Sequence, residues 1–416
     1  MIVAKDKKNK VRLGFVGLGN RCERVLLDDV VRMSDVEVSY ICDINPERVK
    51  FFSQTLESLG KKRPAVTSDY REMLKSDIDA VMIMTGWGDR CRIAMDFMRA
   101  GIYTAIEVGC AYSVDECYKL VEAYETYGTP VMMLENCCYG RRELMALNME
   151  RMGLFGEIVH ASGTYSHDLR ARELHLKGYR YDEYRFRNCD GYPTHEFGPL
   201  SKLLRINRGN RIVSLASFSS KAEGLNEYMK AKHQETVKAR QGDIITTVLT
   251  LAGGETVTLS LDTTLPRPHY SRGFTVRGTK GCIIEECESS SVFLEGMEEG
   301  IALNESEMLE KYEHPLQREN MERYRPDWHR DNIDWLVVRA FIEAVKAGTD
   351  TPIDAYDTAV WLAIGPVSEE SLARGSVPVP FPDFTRGAWM HREGPVLSKY
   401  CLDKVVEDEK IKVFEE

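Results

Sequence analysis

The sequence predicts a two-domain α/β protein, in which a doubly wound parallel sheet is followed by an α+β domain with an open, largely antiparallel sheet. In the first third of the chain, short apolar runs alternate with segments of helical periodicity, which is typical of a parallel sheet with crossover helices. After about residue 139, strand-like runs follow one another across glycine-containing turns, which is typical of antiparallel pairing. The 416 residues suffice for two or three domains, and we predict two, residues 1–138 and 139–416.

The elements of the first domain follow from its apolar runs. Pro46 suits the first turn of a helix, and Gly101 ends another. Because crossovers between parallel strands are right-handed, the order of elements gives a Rossmann-type nucleotide-binding sheet. Strands are predicted at 11–17, 36–42, 80–84, 103–108 and 131–134, and helices at 25–33, 47–59, 90–100 and 114–127.

The second domain is predicted to be sheet-based, with helices on one face. Gly253-Gly254 and Thr279-Lys280-Gly281 are predicted hairpin turns. Two segments, the polar 221–242 and the charged 296–330, are predicted to be the most flexible. Strands are predicted at 157–165, 212–219, 244–251, 255–262, 273–277, 281–286 and 291–295, and helices at 141–152, 333–346 and 356–374, the last two able to pack back on the first domain.

Composition excludes several classes of protein. The chain has 55 Lys+Arg against 65 Asp+Glu, a formal net charge of −10, which argues against a nucleic-acid groove. Its eleven cysteines are odd in number and scattered without a CxxC pair, which predicts reduced thiols rather than a disulfide framework. No His, Asp or Glu cluster has ligand spacing, so no metal is predicted. The N-terminal ten residues lack the apolar stretch of a signal peptide, and no apolar run approaches the roughly 20 residues that span a bilayer, so we expect a cytoplasmic protein.

A glycine-containing turn follows the first strand and is the candidate ligand site. Gly17 and Gly19 allow the backbone to approach a pyrophosphate, and the helix that follows at Asn20 and Arg21 directs free N–H groups at the anion. Asp43 closes the second strand, where a carboxylate can accept both hydroxyls of an adenosine ribose and repel a 2′-phosphate. The sequence therefore predicts NAD as the cofactor, in preference to NADP.

Two segments of the second domain carry candidate acid–base groups. Within 188–199, Tyr192 and His195 lie three residues apart at a predicted helix start, and an ordinary imidazole pKa of about 6.5 suits proton transfer near neutral pH. A capping or core histidine is the alternative interpretation. Within 267–274, Tyr270 lies in a turn beside two arginines, which either hold a polar substrate or balance the acidic surface. Spacing alone does not decide between these interpretations.

Over nearly the whole chain, the layout resembles the glucose-fructose oxidoreductase/inositol dehydrogenase superfamily. Within it, the sequence is most similar to the NAD-dependent glycosidases of glycoside hydrolase family 109, known for α-N-acetylgalactosaminidase activity. Several motifs carry this resemblance and occur in the family's order: CDI at 42–44 with PER at 46–48, MLENCCY at 133–139, YPTH at 192–195, INRG at 206–209, TTLPRPHYSRG at 263–273 and FPDFTRGAW at 381–389.

The sequence also departs from the family patterns. Typical superfamily members have a Glu-Lys-Pro motif after the fifth strand, and Val108 stands here in place of the lysine that assists hydride transfer. Family 109 commonly has valine there too, but Gly109 replaces its proline. Arg90 replaces an expected histidine, and a glycine-rich stretch late in the chain reads WHRD at 328–331. The missing lysine counts against ordinary alcohol dehydrogenation.

The resemblance implies a redox-neutral hydrolysis. Tightly held NAD⁺ would oxidise the sugar at C3, a base would remove the acidified C2 proton, the C1 substituent would be eliminated, water would add, and the ketone would be reduced again. It implies His195 as the base at O3 and Tyr139 as the base at C2, where a structural hydrogen bond is the alternative for Tyr139. It implies that Tyr192 and Tyr270 orient the sugar or share protons, and that Glu107 lies beside the nicotinamide, where it polarises or positions. The cofactor contacts are assigned to Thr85, Trp87, Glu107 and Asn136.

Three hypotheses remain open from the sequence. The first is the redox-neutral glycosidase acting on a small glycoside, possibly an N-acetylhexosaminide. The second is an NAD-dependent sugar or cyclitol dehydrogenase that releases NADH. The third is a non-enzymatic, NAD-bound sensor. We expect a homo-oligomer, and no membrane or nucleic-acid partner.

Overall fold

The computed structural model describes residues 9–286, 289–298, 302–322, 332–394 and 398–406. Its first sheet has six strands in the order β3-β2-β1-β4-β5-β6, all of them parallel. This confirms the doubly wound sheet that the alternation of strands and helices predicts. The strands are β1 (Val11–Val16), β2 (Val36–Cys42), β3 (Ala65–Thr67), β4 (Ala80–Ile83), β5 (Tyr103–Ile106) and β6 (Val131–Met133).

The helices of this sheet begin and end at local sequence signals. Asn45 caps the second helix, where Pro46 occupies the first turn. The fourth begins at a capping box formed by Ser113 and Glu116 and ends at Gly128, whose φ of 62° suits glycine. The segment predicted as a helix at 25–33 instead forms a π turn (Val25–Asp29) and a 3₁₀ turn (Val30–Arg32), which continue from a short α-helix that ends at Arg24. The helices are α1 (Asn20–Arg24), α2 (Pro46–Ser58), α3 (Trp87–Arg99) and α4 (Val114–Tyr127).

The second sheet has nine strands in the order β14-β13-β12-β11-β7-β10-β9-β8-β15. Its pairs are antiparallel except for β7 and β10, which run parallel, so the largely antiparallel sheet is confirmed. The strands are β7 (Ile158–Ser166), β8 (Ile212–Ser219), β9 (Ile244–Leu251), β10 (Thr256–Asp262), β11 (Thr275–Gly278), β12 (Gly281–Glu286), β13 (Ser289–Leu294), β14 (Leu303–Asn304) and β15 (Val379–Pro380).

The two segments predicted to be flexible contain helices that the sequence analysis did not predict. One helix forms within 221–242 and two form within the described part of 296–330. Asn304 and Glu307 form a capping box at one of these starts, which is a local signal strong enough to begin a helix in a charged sequence. The helices of this region are α5 (Arg141–Arg151), α6 (Tyr179–Phe186), α7 (Pro193–Leu203), α8 (Gly224–His233), α9 (Glu305–Tyr312) and α10 (Pro315–Glu322).

The last two helices, α11 (Ile333–Ala347) and α12 (Ala355–Ala373), tie the two sheets together. The first of them packs against β1 and brings Asp334 to the nucleotide-binding end of the parallel sheet. The second packs on α4 and β6 on one side and on α7 and β8 on the other, and most of its side chains are buried. One apolar core therefore runs continuously from the first sheet to the second. No helix among the described residues combines the length and the apolar character that a bilayer crossing requires.

Candidate active site

The turn after β1 has the geometry of a dinucleotide cradle. Gly17 has a φ of 88°, and a Cβ atom there would lie 2.9 Å from the backbone nitrogen of Thr85, so only glycine fits. Gly19 faces open space, since nothing lies within 4 Å of the position of a Cβ atom, and Asn20 is exposed at the start of α1. The Asp43 carboxylate at the end of β2 accepts hydrogen bonds from the backbone N–H groups of Leu18 and Asn45. This carboxylate is thereby fixed beside the glycine turn.

Two further residues near this turn have unsatisfied polar atoms. Thr85 follows β4, and its buried Oγ1 atom has no hydrogen-bond partner among the described residues. The buried Nε1 atom of Trp87, at the start of α3, is also without a partner there. Because buried polar groups are normally paired, these atoms fit a site completed by a ligand. The cradle, the oriented Asp43 carboxylate and the two unpaired donors together suit a dinucleotide.

Arg21 and Glu107, both predicted to contact the cofactor, form an ion pair next to the glycine turn. The Nε atom of Arg21 donates to Glu107 at 2.8 Å, and its two terminal nitrogens donate to the two oxygens of Asp334 at 2.7 and 2.8 Å. The amide of Asn136 also donates to Asp334. Burial would raise the pKa of Asp334, but Arg21 and its other donors hold it well below its usual value. Three of the residues predicted to contact the cofactor are therefore ordered by an aspartate from α11 that the sequence did not indicate.

His195 and Glu135 form a buried acid–base pair. His195 lies in the first turn of α7, and its Nδ1 atom lies 2.8 and 2.9 Å from the two carboxylate oxygens of Glu135, which follows β6. Burial alone would lower the pKa of His195, but Cys137 and Glu135 raise it well above its ordinary value. Burial alone would raise the pKa of Glu135, but His195 lowers it. The pair is therefore charged at neutral pH, with the proton held on the imidazole.

Glycine at one position of β7 allows the approach of α7. A Cβ atom at Gly163 would lie 2.3 Å from the carbonyl oxygen of Glu196, so the helix backbone rests directly on the strand. Pro193 occupies the first helical turn and fixes the direction in which the helix leaves the sheet. His195 is consequently held by backbone packing as well as by its hydrogen bonds.

A group of aromatic rings surrounds His195. Tyr192 stacks on Tyr165 with ring centroids 4.3 Å apart, and the imidazole of His195 lies 5.0 Å from Tyr192 and 5.5 Å from Tyr165. Tyr270 lies 6.0 Å from Tyr165, and the Trp87 ring lies 6.1 Å from Tyr192. The structure thus brings the predicted residues Tyr192, His195, Tyr270 and Trp87 into one cluster. An apolar wall with polar edges of this kind suits the face of a sugar ring.

Two arginines contact these tyrosines. The guanidinium of Arg180 lies 4.7 Å above the ring of Tyr192, and that of Arg272 lies 5.9 Å from the ring of Tyr270 and hydrogen-bonds to its phenol. Burial raises the pKa of both phenols well above 10, although each arginine opposes the increase. Both tyrosines therefore carry their protons at neutral pH.

Tyr139 does not join this cluster. Its ring is completely buried in the core, its hydroxyl donates to the backbone carbonyl of Tyr400 at 3.1 Å, and burial raises the pKa of its phenol well above 10. The carbonyl of Tyr139 accepts a hydrogen bond from Gln317. This placement matches the structural hydrogen bond that the sequence left as the alternative, and it argues against a role as the base at C2.

Two residues that differ from the family patterns, Arg90 and Gly109, lie near Glu107, and the structure explains both. Arg90 is buried and donates to the backbone carbonyls of Thr85, Glu107 and Val108, so it ties together the ends of two strands. Gly109 has a φ of 146°, and a Cβ atom there would lie 2.2 Å from Trp87 Nε1, so proline and every other side chain are excluded. The WHRD stretch at 328–331, including His329, lies outside the described residues.

Sequence reasoning did not single out Glu135, Tyr165, Arg180 and Asp334, whereas Arg272 is one of the two arginines predicted beside Tyr270. Only Glu135 carried a usable signal, because it follows a buried strand at the edge of the sheet where the other site residues were expected. The other three reach the site from β7, α6 and α11, and their approach depends on how the two sheets pack.

Comparison with known proteins matches both parts of the chain to described families. Residues 139–391 match the family model "Glycosyl hydrolase 109, C-terminal domain", and residues 11–135 match "Oxidoreductase family, NAD-binding Rossmann fold". A "Glycosyl hydrolase family 109 protein" of Stenotrophomonas maltophilia (strain K279a) is 38% identical over 92% of this chain and 91% of the relative. An "Alpha-N-acetylgalactosaminidase" of Tannerella forsythia is 34% identical over 92% of this chain and 88% of the relative.

Solved structures show the same fold at low identity. Levoglucosan dehydrogenase in complex with NADH and levoglucosan has a TM-score of 0.70 at 17% identity, covering 90% of this chain and 100% of that one. An inositol dehydrogenase homolog complexed with NAD⁺ from Azotobacter vinelandii has a TM-score of 0.65 at 18% identity, covering 92% of this chain and 100% of that one. At these identities the structural similarity shows the shared fold alone.

Proposed function

The chain belongs to glycoside hydrolase family 109, and on that basis we propose that it is an NAD-dependent glycosidase acting on small glycosides. The observation that carries the proposal is the His195–Glu135 pair, which lies within the aromatic cluster that also includes Trp87 beside the nucleotide cradle. The relative from Tannerella forsythia that is called an alpha-N-acetylgalactosaminidase supports an N-acetylhexosaminide as the substrate class to test first.

The cofactor of this Rossmann domain is NAD. Gly17, Gly19 and the start of α1 would hold its pyrophosphate, and Asp43 would accept its ribose hydroxyls. Thr85 and Trp87 would donate hydrogen bonds from their unpaired atoms. When bound, NAD supplies reversible oxidation at C3 of the sugar, which acidifies the neighbouring C2 proton.

His195 is the group that we propose for proton transfer at O3. Its Nδ1 atom is occupied by Glu135, which fixes the orientation of the ring and leaves Nε2 for a substrate hydroxyl. Since Glu135 and Cys137 raise the pKa of His195, the imidazole must lose its resting proton before it can accept one from the sugar. We therefore expect the reaction to favour pH values above neutrality.

Tyr270 is the residue that we propose for removal of the C2 proton, in place of Tyr139. A phenol needs a nearby cation to act as a base, and the Arg272 guanidinium hydrogen-bonds to the phenol of Tyr270. The Tyr139 hydroxyl instead donates to a backbone carbonyl in the core. We propose that Tyr192, held under Arg180, orients the sugar by donating a hydrogen bond.

The dehydrogenase alternative has less support from the site. Val108 is buried at the position where the oxidoreductases carry a lysine, and Arg90 uses the carbonyl of Val108 as an acceptor. Among the described residues that surround Tyr192, the nearest cation is Arg180, and a guanidinium does not give up its proton at neutral pH. Net oxidation of an alcohol would therefore lack the usual lysine.

The deciding experiment follows two products at once. Purified protein is incubated with p-nitrophenyl α-N-acetylgalactosaminide and related p-nitrophenyl glycosides, with and without added NAD⁺, and nitrophenol and NADH are both measured by absorbance. We expect release of nitrophenol without net accumulation of NADH. NADH formed in proportion to consumed free sugar would overturn the glycosidase and favour the dehydrogenase, and absence of both signals across the panel would favour the non-enzymatic sensor.

We also propose a cellular location and an oligomeric state for this protein. Ten cysteines lie among the described residues and all carry free thiols, which supports a cytoplasmic location.

Phe218, Val248 and Phe293 lie on the face of the second sheet that is opposite its helices, and Phe218 is 52% exposed. We propose that a second copy of the chain covers this face, and light scattering of wild-type protein and of the Phe218→Glu variant tests it. A monomeric wild type would contradict it.

A further inference from the structure

We propose that Glu135, Cys137 and His195 form a binding site for one divalent cation of the zinc class, and that the bound cation inhibits the enzyme reversibly. The three residues come from two segments that the sequence keeps far apart: Glu135 and Cys137 flank Asn136 after β6, and His195 begins α7. No spacing in the sequence indicates this group, which is why no metal was predicted there.

The geometry of the group fits a metal centre. Each of the three side chains offers one ligand atom, and all three atoms lie within 4.8 Å of one another. Glu135 and Cys137 are fully buried, while the side chain of His195 is 13% exposed. Zinc–ligand bonds of about 2.0–2.3 Å require neighbouring ligand atoms roughly 3–4 Å apart, so small side-chain movements suffice. Elsewhere among the described residues, no other group of three such side chains comes this close.

The chemistry of the three donors selects the cation. A thiolate sulfur, an imidazole nitrogen and a carboxylate oxygen are the ligands of zinc, whereas magnesium and calcium prefer oxygen alone. Three protein ligands leave the fourth tetrahedral position for water or a substrate hydroxyl. Glu135 is completely buried with both carboxylate oxygens against Nδ1 of His195, and a cation between these atoms would take the place of the hydrogen bond that joins them now.

Inhibition is expected because His195 belongs both to the proposed metal site and to the proposed catalytic site. In the proposed function the Nε2 atom of His195 accepts a proton at O3. A metal bound at Nδ1, the nitrogen that faces Glu135, would leave the one remaining ring proton on Nε2, which could then accept no other. This consequence depends on the proposed glycosidase, but the metal site itself does not. The cation would bind the cysteine as a thiolate and the histidine as a neutral imidazole, and any proton that these groups give up would leave to solvent, so binding requires no oxidant or reductant.

Cobalt(II) is the probe that reports on the site without any activity. When the NAD-loaded protein is titrated with Co²⁺, we expect a near-ultraviolet sulfur-to-cobalt charge-transfer band that saturates at one equivalent of Co²⁺. Cys137→Ser should abolish the band, and His195→Gln should weaken Co²⁺ binding by at least about tenfold. Cys282→Ser is the matched control, because Cys282 is a half-buried thiol on β12 away from the group, and it should retain the band. Circular dichroism of each variant confirms folding.

Zinc inhibition completes the test. The ratio of activity with and without Zn²⁺ is measured for the wild type, Cys137→Ser and Cys282→Ser, so that each variant is its own reference. We expect zinc sensitivity in the wild type and in Cys282→Ser and its loss in Cys137→Ser. A wild type without the cobalt band, or a band that persists in Cys137→Ser, would overturn the site. A stoichiometric band in a protein that cleaves no glycoside would leave the site standing and reject the proposed function instead.

Discussion

The Nδ1 atom of His195 lies 2.8 Å from a carboxylate oxygen of Glu135, although the two residues are 60 positions apart in the chain. Glu135 is completely buried, and its other oxygen lies 2.9 Å from the same nitrogen. A carboxylate in this position fixes the orientation of the ring and favours its protonated form. The proposed acid–base chemistry thus depends on a contact between the end of one sheet and a helix of the other.

Glu135→Gln should lower the pKa of His195. In the wild type the carboxylate helps to raise that pKa, and an amide of the same shape keeps a hydrogen bond without the charge. The His195 ring should therefore titrate at lower pH in the variant, and the ascending limb of kcat/KM against pH should move in the same direction. ¹⁵N-histidine NMR, with His195→Gln to identify the signal, measures the shift. An unchanged or higher pKa would contradict the electrostatic role of Glu135.

Tyr139→Phe and Tyr270→Phe should separate the two candidates for the C2 base. Tyr139 loses only a hydrogen bond to the carbonyl of Tyr400, so its variant should be destabilised by about 1 kcal/mol and keep most of its kcat. Tyr270→Phe should lower kcat by about 10²–10⁴-fold and should slow exchange of the C2 proton with deuterated solvent. Steady-state kinetics and exchange measured by NMR test both. The opposite ranking would restore Tyr139 as the base.

Asp190→Asn should stabilise the protein increasingly as pH rises. Burial raises the pKa of Asp190 from 3.8 to about 7, so the folded state holds a proton that the unfolded chain releases. Below pH 3.8 the raised pKa of Asp190 therefore does not change how the free energy of unfolding depends on pH. Between pH 3.8 and 7 it makes that free energy fall as the pH rises, and above pH 7 the free energy stays at the lowered value. The asparagine variant escapes this loss, which is on the order of 3 kcal/mol between pH 5 and pH 8. Thermal denaturation at both pH values measures it, and an equal gain in Tm at the two pH values would contradict the cause.

Asp357→Ala should be strongly destabilising. Asp357 is buried in α12 and accepts hydrogen bonds from Lys202, Asn207 and Arg208, two of which are buried cations. Removing it takes away the carboxylate nearest to both cations, which keep only Asp354 and Asp403 among the described residues, and should cost about 3 kcal/mol in the free energy of unfolding. Glu370→Ala on the same helix breaks only an exposed pair with Arg374 and should cost less than about 1 kcal/mol. Urea unfolding of both variants tests this, and equal losses would contradict the importance of burial.

Asp43→Ser should weaken NAD binding and reduce the preference for NAD over NADP. The carboxylate is expected to accept the ribose hydroxyls and to repel a 2′-phosphate, and serine does neither as well. We expect at least about a tenfold weaker Kd for NAD⁺, measured by isothermal titration calorimetry of cofactor-stripped protein. Glu57→Gln, on the exposed side of α2, is the control. An unchanged ratio of the two affinities would remove Asp43 from ribose recognition.

The sequence predicted the fold because its signals are local. The strand of Ala80–Ile83 is a short apolar run, and Ser113 with Glu116 marks a helix start within four residues. The helices in 221–242 and 296–330 were missed because polar composition conceals an amphipathic face that forms only against the rest of the protein.

The residues of the candidate site also divide into those with a local sequence signal and those whose position depends on packing. Gly17, Asp43 and His195 were predicted because glycine turns, strand-end carboxylates and a histidine at a helix start have short-range patterns or a family motif. Tyr139 belonged to such a motif, yet its hydroxyl lies in the core against Tyr400, a residue 261 positions away. A motif places a residue in the chain, but the direction of its side chain depends on what packs against it.

By itself the sequence determined the class of fold, the cofactor and the family, because these depend on periodicity and on motifs that persist along the chain. Only the tertiary structure decided which groups meet. It brought Glu135 to His195, Asp334 to Arg21 and Arg272 to Tyr270, joining segments separated by 60, 313 and 2 positions. Even the short pair depends on long-range packing, since Glu143 of α5 binds the Arg272 guanidinium. Charges and protons at the site follow from burial and distance, and both arise when the two sheets pack together.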